Sequence, residues 1–126
     1  MPSRIHLKRV YDAPSATDGC RVLVDRLWPR GLIKENARIT LWLKDVAPST
    51  DLRRRFHSGA LDWQGFQAAY RCELTGAPWA DAVRTLLRLA DEGALTLVYA
   101  AKDRQCNHAV VLGEHLDTLR TGASHS

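Results

Sequence analysis

Cysteine is scarce in this sequence, and its spacing argues against two common kinds of structural cross-link. Cys20, Cys72 and Cys106 are odd in number, lie far apart and form no C-x-x-C pair. A disulfide framework needs paired cysteines, and a structural zinc site needs closely spaced ligands. We therefore expect reduced thiols and no bound metal.

Long apolar runs are also missing. No segment approaches the ~20 apolar residues that a membrane-spanning helix requires. The N-terminal residues MPSRIHLKRV contain no uninterrupted apolar segment after their basic residues. The sequence thus predicts neither a transmembrane helix nor a secretory signal. We expect a cytoplasmic protein without a membrane partner.

The familiar catalytic and cofactor motifs are absent as well. The sequence contains no G-x-G-x-x-G, no P-loop, no H-E-x-x-H and no G-x-S-x-G. Their absence argues against a P-loop nucleotide hydrolase and against a dinucleotide held in the usual way. No cofactor is predicted, and whether the protein is an enzyme stays open.

The length and charge of the chain set the remaining bounds. A chain of 126 residues, 45% of them hydrophobic, is long enough for one hydrophobic core. We predict a single domain over residues 1–126, with a flexible tail at about 121–126. The net charge is +4, and basic residues outnumber acidic ones nine to four between positions 4 and 44. Such a positive field favours anionic partners, from small phosphates to nucleic acid.

The hydrophobic pattern alternates between strands and helices. Apolar segments predict strands at 4–11, 21–27 and 95–101, the first of them toward a sheet edge. Helical spacing predicts helices at 50–57, 62–74, 79–91 and 106–120. Ser49 or Thr50 is expected to cap the first helix, and Gly93 to end the third as a left-handed cap. Gly122 follows the last helix.

This alternation implies crossover connections between the strands. We therefore predict an α/β protein with a three-layer arrangement, in which helices cover both faces of a mostly parallel sheet. The class is Rossmann-like or flavodoxin-like, without a dinucleotide motif. Residues 34–46 are ambiguous, since KENAR suits a short helix whereas ITLWLKDV alternates like a strand. We favour a turn followed by a strand.

The stretch VLVDRLWPRGL at 22–32 raises the main functional question. Its aliphatic residues predict a buried strand, yet the charges of Asp25, Arg26 and Arg30 follow at once. Ligands of open parallel sheets bind beyond the carboxyl ends of the strands. If the strands at 21–27 and 95–101 are parallel, these charges share an edge with Lys102 and with the N–H groups that begin the last helix.

Asp25 is the candidate catalytic base, or else the anchor for a ligand hydroxyl. The alternative is a structural ion pair with Arg26 or Arg30. Arg30 is the preferred anion ligand, because its planar guanidinium matches phosphate or carboxylate oxygens. Arg26 is less favoured, because alternation along the strand can turn it to the other side of the sheet.

The start of the last helix offers further candidates. Cys106 near a helix start suits a nucleophile with His108 as its base, although a buried thiol is the simpler interpretation. Residues two apart on a helix do not face each other, which weakens that pairing. Asn107 and His108 are either ligands or helix caps. His115 has the spacing of a core residue.

Two tryptophans differ from the other aromatic residues. Trp28 lies in a charged turn and Trp42 lies two residues before Lys44, so each suits stacking on a ring or a base. Packing against Pro29 or Pro48 is the alternative. Four other aromatic residues are assigned to the core by their helical positions: Trp63, Phe66, Tyr70 and Trp79. The charge run Arg53–Arg55 is either a solvated helix face or part of a basic track.

Three blocks of the sequence together resemble the YeaO-like group, small bacterial proteins known as domain of unknown function family 488. The blocks are DGCRVLVDRLWPRGL at 18–32, LWLKDVAPSTDLRRRFH at 41–57 and LTLVYAAKDRQCNHAVVL at 95–112. The resemblance spans about residues 5–119 and implies a compact α/β domain with no established activity. By similarity, it carries over Asp25, Arg26, Trp28, Pro29, Arg30, Gly31, Trp42, Lys44, Pro48, Ser49, Lys102 and Asn107. Cys106 falls outside the pattern, and His108 is an uncertain match.

Two functions follow as hypotheses. In the first, the protein binds an anionic small molecule, phosphorylated or nucleotide-like, at the carboxyl ends of the strands, and turnover is left open. Arg30, Lys102 and Lys44 hold the anion, and Trp28 walls the pocket. In the second, the basic front half binds nucleic acid without catalysis, or an exposed apolar surface docks a partner protein. The oligomeric state is not predicted.

Overall fold

The structure is a computed structural model that describes residues 5–125, with the side chains of 121–125 excepted. The flexible tail predicted at about 121–126 lies outside the described side chains. Four strands form one sheet: β1 Ile5–Arg9, β2 Cys20–Leu23, β3 Leu41–Trp42 and β4 Leu95–Tyr99. Five α-helices accompany it: α1 Lys34–Ala37, α2 Thr50–His57, α3 Trp63–Leu74, α4 Trp79–Glu92 and α5 His108–His125. Single 3₁₀ turns lie at Ala16–Asp18 and Lys44–Val46.

All the strand pairs are parallel, in the order β1-β4-β2-β3. The predicted α/β class with a parallel sheet is confirmed, and β1 lies at an edge, as expected. β4 is buried along its whole length because it lies between β1 and β2. Its register pairs Cys20 with Leu95 and Leu23 with Val98. The carboxyl ends of β2 and β4 therefore meet at the same edge of the sheet.

The two faces of the sheet are covered unequally. One face packs against the long helices α2 to α5 in a large apolar core that includes Val22, Val24 and Leu97. Side chains alternate along a strand, so Leu23 and Val98 point to the other face. There they meet Val10 in a smaller cluster, which is covered by loop residues and lies near the short α1: Trp28, Leu32, Ile39 and Ala100. The structure thus has three layers, one of them thin.

In the ambiguous segment at 34–46, the favoured turn at the start is wrong, and the strand that follows it is present but short. KENA forms the short helix α1, and only Leu41 and Trp42 of the predicted strand pair with β2. The 3₁₀ turn at Lys44–Val46 then ends the strand. β2 is also shorter than predicted and ends at Leu23, although the Val24 N–H still donates to the Val98 carbonyl at 3.1 Å.

The helix boundaries follow local capping groups. Ser49 caps α2 through its hydroxyl, as predicted, and Asp62 caps α3. The prediction of a left-handed cap at Gly93 is wrong, because its φ of 169° and ψ of −165° are extended. α5 begins at His108 and not at Cys106, since the Asp103 carboxylate accepts the N–H groups of Gln105 and Cys106 in a turn before the helix. It also continues past Gly122.

The predicted core residues of the helices are mostly buried. Phe66 and Tyr70 are buried and Trp63 is half-buried, which confirms the aromatic face of α3. On α5, Val111, Leu112 and Leu116 are buried, whereas Leu119 is exposed and His115 is half-buried. Desolvation, assisted by the nearby Arg71, lowers the pKa of His115.

Within the described residues, no helix is long and apolar enough to cross a membrane.

A buried charge cluster joins β1, β2 and β4 on the thin side of the sheet. The Asp18 carboxylate accepts from Arg21 Nη1 at 2.7 Å, from Lys8 Nζ at 3.2 Å and from the Ser15 N–H at 3.0 Å. The Thr96 hydroxyl donates to the Asp18 carbonyl at 2.7 Å. Burial raises the pKa of Asp18, but these hydrogen bonds outweigh it, so the pKa lies below its usual value.

Gly19 follows this cluster in a conformation that few other residues adopt, with φ 64° and ψ −131°. A Cβ atom at this position would lie 2.4 Å from the Ala94 carbonyl oxygen. That carbonyl accepts the Cys20 N–H at 3.0 Å, which begins the pairing of β2 with β4. The sheet therefore requires glycine here for close approach as well as for its backbone angles.

The Asp18 cluster predicts a specific pH dependence of stability. A carboxylate whose folded pKa is depressed stabilises the fold above its unfolded pKa, and this contribution is lost as the pH falls through the folded pKa. Asp18→Asn should cost about 3 kcal/mol at pH 7, because Arg21 is left buried without its charge partner. Urea denaturation should show the difference from wild type shrinking below the ordinary Asp pKa of 3.8.

Asp81→Asn is the control for this prediction, since Asp81 pairs with Arg84 on the exposed surface of α4. Exposed ion pairs contribute little to the free energy of unfolding, so this variant should unfold like wild type at pH 7 and at pH 3. A loss at Asp18→Asn that is equal at pH 7 and pH 3 would contradict the electrostatic explanation.

Gly19→Ala and Gly31→Ala form a matched pair of substitutions. Both positions have positive φ, 64° and 71°, but a Cβ at Gly31 meets nothing within 4 Å. Gly31→Ala should lose about 1 kcal/mol from backbone strain alone. Gly19→Ala should lose a further ~2 kcal/mol from the collision with Ala94, measured as the free energy of unfolding. Equal losses would show that the chain relaxes around the new methyl group.

Candidate functional site

A cleft of about 350 Å³ lies at the carboxyl ends of β2 and β4. Four parts of the chain form it: the residues after β2, the segment that leads into α2, α2 itself, and the stretch from the end of β4 to the first residue of α5. The lining comprises Asp25, Arg26, Leu27, Ala47, Pro48, Arg53, His57, Ala100, Ala101, Lys102 and His108. The predicted meeting of Asp25 with Lys102 at one edge therefore occurs.

The Asp25 carboxylate holds these segments together. Its Oδ2 accepts the Ala100 N–H at 3.0 Å, which ties the end of β2 to the end of β4. Its Oδ1 lies 3.0 Å from Nε2 of His108, the first residue of α5, and both side chains are largely buried. A single carboxylate thus connects two strands and a helix.

The proton on the His108 ring can be assigned from its neighbours. Nε2 lies 3.1 Å from the Val24 carbonyl oxygen and 3.0 Å from Asp25 Oδ1, and both of these atoms are acceptors. Nε2 must therefore carry the proton. The N–H is aligned with the Val24 carbonyl, so Oδ1 has a close charge contact but no aligned hydrogen bond within the described residues. Asp25 Oδ1 retains accepting capacity.

Arg26 fixes the wall of the cleft instead of pointing to the other side of the sheet. Its Nη2 donates to the Ala47 carbonyl at 3.2 Å and to the Pro48 carbonyl at 3.4 Å. In the part of the chain that the structure describes, its Nε is buried without a hydrogen-bond partner. Arg26 therefore holds the segment after β2 against the segment at Ala47 and Pro48, and it also places a positive charge beside the cleft.

Two aromatic side chains of the helices support the same wall, the buried Tyr70 and the half-buried Trp79. The Tyr70 hydroxyl donates to the Val46 carbonyl, and Trp79 Nε1 donates to the Ala47 carbonyl at 2.8 Å. Burial, followed by the nearby carboxylates of Glu73 and Asp25, raises the pKa of Tyr70, which keeps the phenol protonated as a donor. The Tyr70 ring also meets the His108 ring edge-on at 6.4 Å.

The charge of the cleft is predominantly positive. Three basic side chains lie in the lining, those of Arg26, Arg53 and Lys102, and among the described residues Asp25 contributes the one carboxylate. Sequence reasoning missed Arg53 and His57 as site residues. Their spacing of four residues places them on one face of α2, and that spacing was the available signal. Arg54 and Arg55 are exposed and do not line the cleft.

Four predicted site residues do not line the cleft: Trp28 and Arg30 lie in the turn after Leu27, which folds over the thin face of the sheet, and Trp42 and Lys44 lie at β3 and in the 3₁₀ turn that follows it. Trp28 packs on the Val10 cluster and donates from Nε1 to the Leu32 carbonyl at 2.9 Å. Arg30, the preferred anion ligand, is exposed and does not line the cleft. Trp42 donates to the Asp25 main-chain carbonyl at 2.7 Å, and the Lys44 ammonium lies 5.2 Å from the centre of its ring.

The site residues predicted at the start of α5 have different positions and roles. Asn107 is buried and caps the helix, since its Oδ1 accepts the Val110 N–H at 3.0 Å and its Nδ2 donates to the Asp103 carbonyl at 2.7 Å. Cys106 does not line the cleft, and Nε2 of His108 faces Asp25. In the described residues, no group of three or more metal-ligating side chains is found.

Comparison with known proteins places this arrangement in a family. The chain is 43% identical to the uncharacterized protein YeaO of Escherichia coli K12 over 115 residues, which are 91% of this chain and 98% of YeaO. It is 36% identical over 115 residues to the uncharacterized protein Rv3073c of Mycobacterium tuberculosis H37Rv, covering 91% and 95% of the two chains. No solved structure gives a significant match. The model of the DUF488-N3i family, described as the inactive DUF488-N3 subclade, matches residues 4–124, and the chain belongs to this family.

Proposed function

We propose that the protein binds an anionic small molecule, phosphorylated or nucleotide-like, in the cleft at the ends of β2 and β4. The observation that carries the proposal is the convergence of Arg26, Arg53 and Lys102 around a cleft with one carboxylate. Clefts lined by one sign of charge attract ligands of the opposite sign. Ligands of open parallel sheets also bind at this edge.

The arrangement suits a ligand that carries both an anionic group and a hydroxyl or amine. Arg53 and Lys102 reach the cleft from two different parts of the chain, α2 and the loop after β4. The Asp25 carboxylate, which also lines the cleft, is the acceptor for a donor on the same ligand. A sugar phosphate or a nucleotide has both kinds of group.

Binding without turnover agrees best with the chemistry of the cleft. The Asp25 carboxylate, the candidate base, is poorly placed to take a proton from a ligand, because its Oδ2 accepts the Ala100 N–H at 3.0 Å and its Oδ1 is buried beside His108 Nε2. Among the described residues, the lining contains no serine, threonine or cysteine that could act as a nucleophile. Its lysine, Lys102, is exposed. The description of the family as an inactive subclade supports the same conclusion. Asp25 then serves as an anchor for the ligand.

Arg53 and Arg54 provide a matched test of this proposal, because they are neighbours on α2 and only Arg53 lines the cleft. Thermal-shift titrations would use pyrophosphate, ribose 5-phosphate and adenosine monophosphate. A ligand held at 100 times its dissociation constant should add about 2.7 kcal/mol to the stability. Arg53→Gln should weaken binding roughly tenfold, since a charge-assisted hydrogen bond contributes about 1.5–3 kcal/mol, and Arg54→Gln should leave it unchanged.

The proposal fails if none of these anions stabilises the wild-type protein. It also fails if the two arginine variants lose affinity equally, because the effect would then be one of net charge and not of the cleft.

Nucleic acid is the second candidate, favoured by the exposure of Arg54 and Arg55 beside Arg53. A nucleic-acid surface neutralises several phosphates, so its affinity should fall steeply with salt, whereas a site for one phosphate responds weakly. Fluorescence anisotropy of a labelled single-stranded oligonucleotide at 50 and 200 mM salt separates the two. A loss of affinity of a hundredfold or more, with equal contributions from Arg53, Arg54 and Arg55, would favour nucleic acid.

A further inference from the structure

We propose that the protein has a second ligand site, which binds a flat aromatic molecule carrying one acidic group. The site is a pocket of about 360 Å³ beside the edge strand β3, called the indole pocket below. Its lining comprises Trp28, Lys34, Ile39, Thr40, Leu41 and Trp42, none of which lines the cleft. Its volume lies within the range of small-molecule sites.

The shape of the indole pocket comes from its two tryptophans. Their ring centroids lie 5.5 Å apart and their planes meet at 68°, so the two indoles form a corner. Aromatic rings favour offset stacking or edge-to-face contacts. A flat ligand ring seated in this corner can make one contact of each kind. An aliphatic ligand of equal volume can make neither.

The two indole N–H groups and the Thr40 hydroxyl oxygen, which lie in the lining of the indole pocket, already have hydrogen-bond partners. Trp28 Nε1 donates to the Leu32 carbonyl and Trp42 Nε1 donates to the Asp25 carbonyl, at 2.9 and 2.7 Å. The Thr40 hydroxyl oxygen accepts the Arg21 N–H at 3.1 Å. A nucleobase would lose the hydration of its polar edge without replacement, which is costly. The chemistry therefore favours an aromatic ring with an apolar edge.

The charge of the indole pocket selects an acidic group on the ligand. Lys34 is the one ionisable residue of the lining, and it is exposed at the start of α1. The Lys44 ammonium lies 5.2 Å from the centre of the Trp42 ring and adds a second positive charge. Among the residues that the structure describes, no carboxylate lines the pocket to neutralise them.

The exposure of apolar side chains gives the driving force for occupation. Trp42 is 37% exposed and Leu41 is 36% exposed, although both are large hydrophobic residues on a strand. Covering such surface is favourable in proportion to its area. An aromatic ligand covers it, and the lysines hold the acidic group at the rim.

The test compares 2-naphthoate with two analogues that each differ from it in one property: the neutral 2-naphthalenemethanol, and the saturated decahydronaphthalene-2-carboxylate, which keeps the carbon skeleton and the charge. The chain has four tryptophans, so the indole N–H signals of a ¹⁵N-labelled sample report where each probe binds. Naphthoate should shift the signals of Trp28 and Trp42. Trp79 should not shift, because its indole donates to the Ala47 carbonyl in the wall of the cleft.

Affinity and substitution complete the test. Naphthoate should bind at least tenfold more tightly than either of the other two probes. Lys34→Gln should remove most of the advantage of naphthoate over the alcohol. Lys102→Gln, which changes the cleft alone, should leave naphthoate binding intact. This pair of variants distinguishes failure of the indole pocket from failure of the anion cleft.

Three results would overturn the proposal. The first is the absence of any shift at Trp28 and Trp42 with naphthoate at millimolar concentration. The second is a naphthoate affinity that falls equally in Lys34→Gln and Lys102→Gln, which would place the probe in the cleft. The third is displacement of naphthoate by adenosine monophosphate, which would make the two sites one.

Discussion

The parallel pairing of β2 with β4 determines where the polar groups of the cleft lie. Both strands end at the same edge, and the hydrogen bond from the Ala100 N–H to the Asp25 carboxylate closes the gap between the chain segments that leave them. His108 can contact Asp25 only because α5 starts at that edge. An antiparallel pairing would separate the same residues by the length of a strand.

Much of this could be predicted from the sequence, because it depends on local pattern and on topology. The apolar runs identified β2 and β4, and helical spacing identified the buried faces of α3 and α5. The rule for parallel sheets then brought Asp25 and Lys102 together. Asn107 and His108 were already open to two interpretations, and the structure separates them into a helix cap and a cleft residue.

The rest depended on packing that no local pattern encodes. The direction of the turn after Leu27 is set by Trp28, which fills the small cluster on the thin face, and Arg30 is carried away from the cleft with it. Arg53 and His57 reach the cleft because of how α2 lies against α3. β3 is two residues long, since the 3₁₀ turn that follows it is held by hydrogen bonds from residues far away in the sequence, such as the one from Tyr70 to the Val46 carbonyl.

Those distant partners give the cleft wall an unusual anchorage. Three consecutive main-chain carbonyls, of Val46, Ala47 and Pro48, accept hydrogen bonds from Tyr70, Trp79 and Arg26 on three different parts of the fold. Movement of this wall therefore requires the helical layer to move with it, and from these hydrogen bonds we expect the cleft to keep its shape when a ligand binds. Binding of a ligand would then cost little free energy for rearranging the protein, since the site is already preorganised.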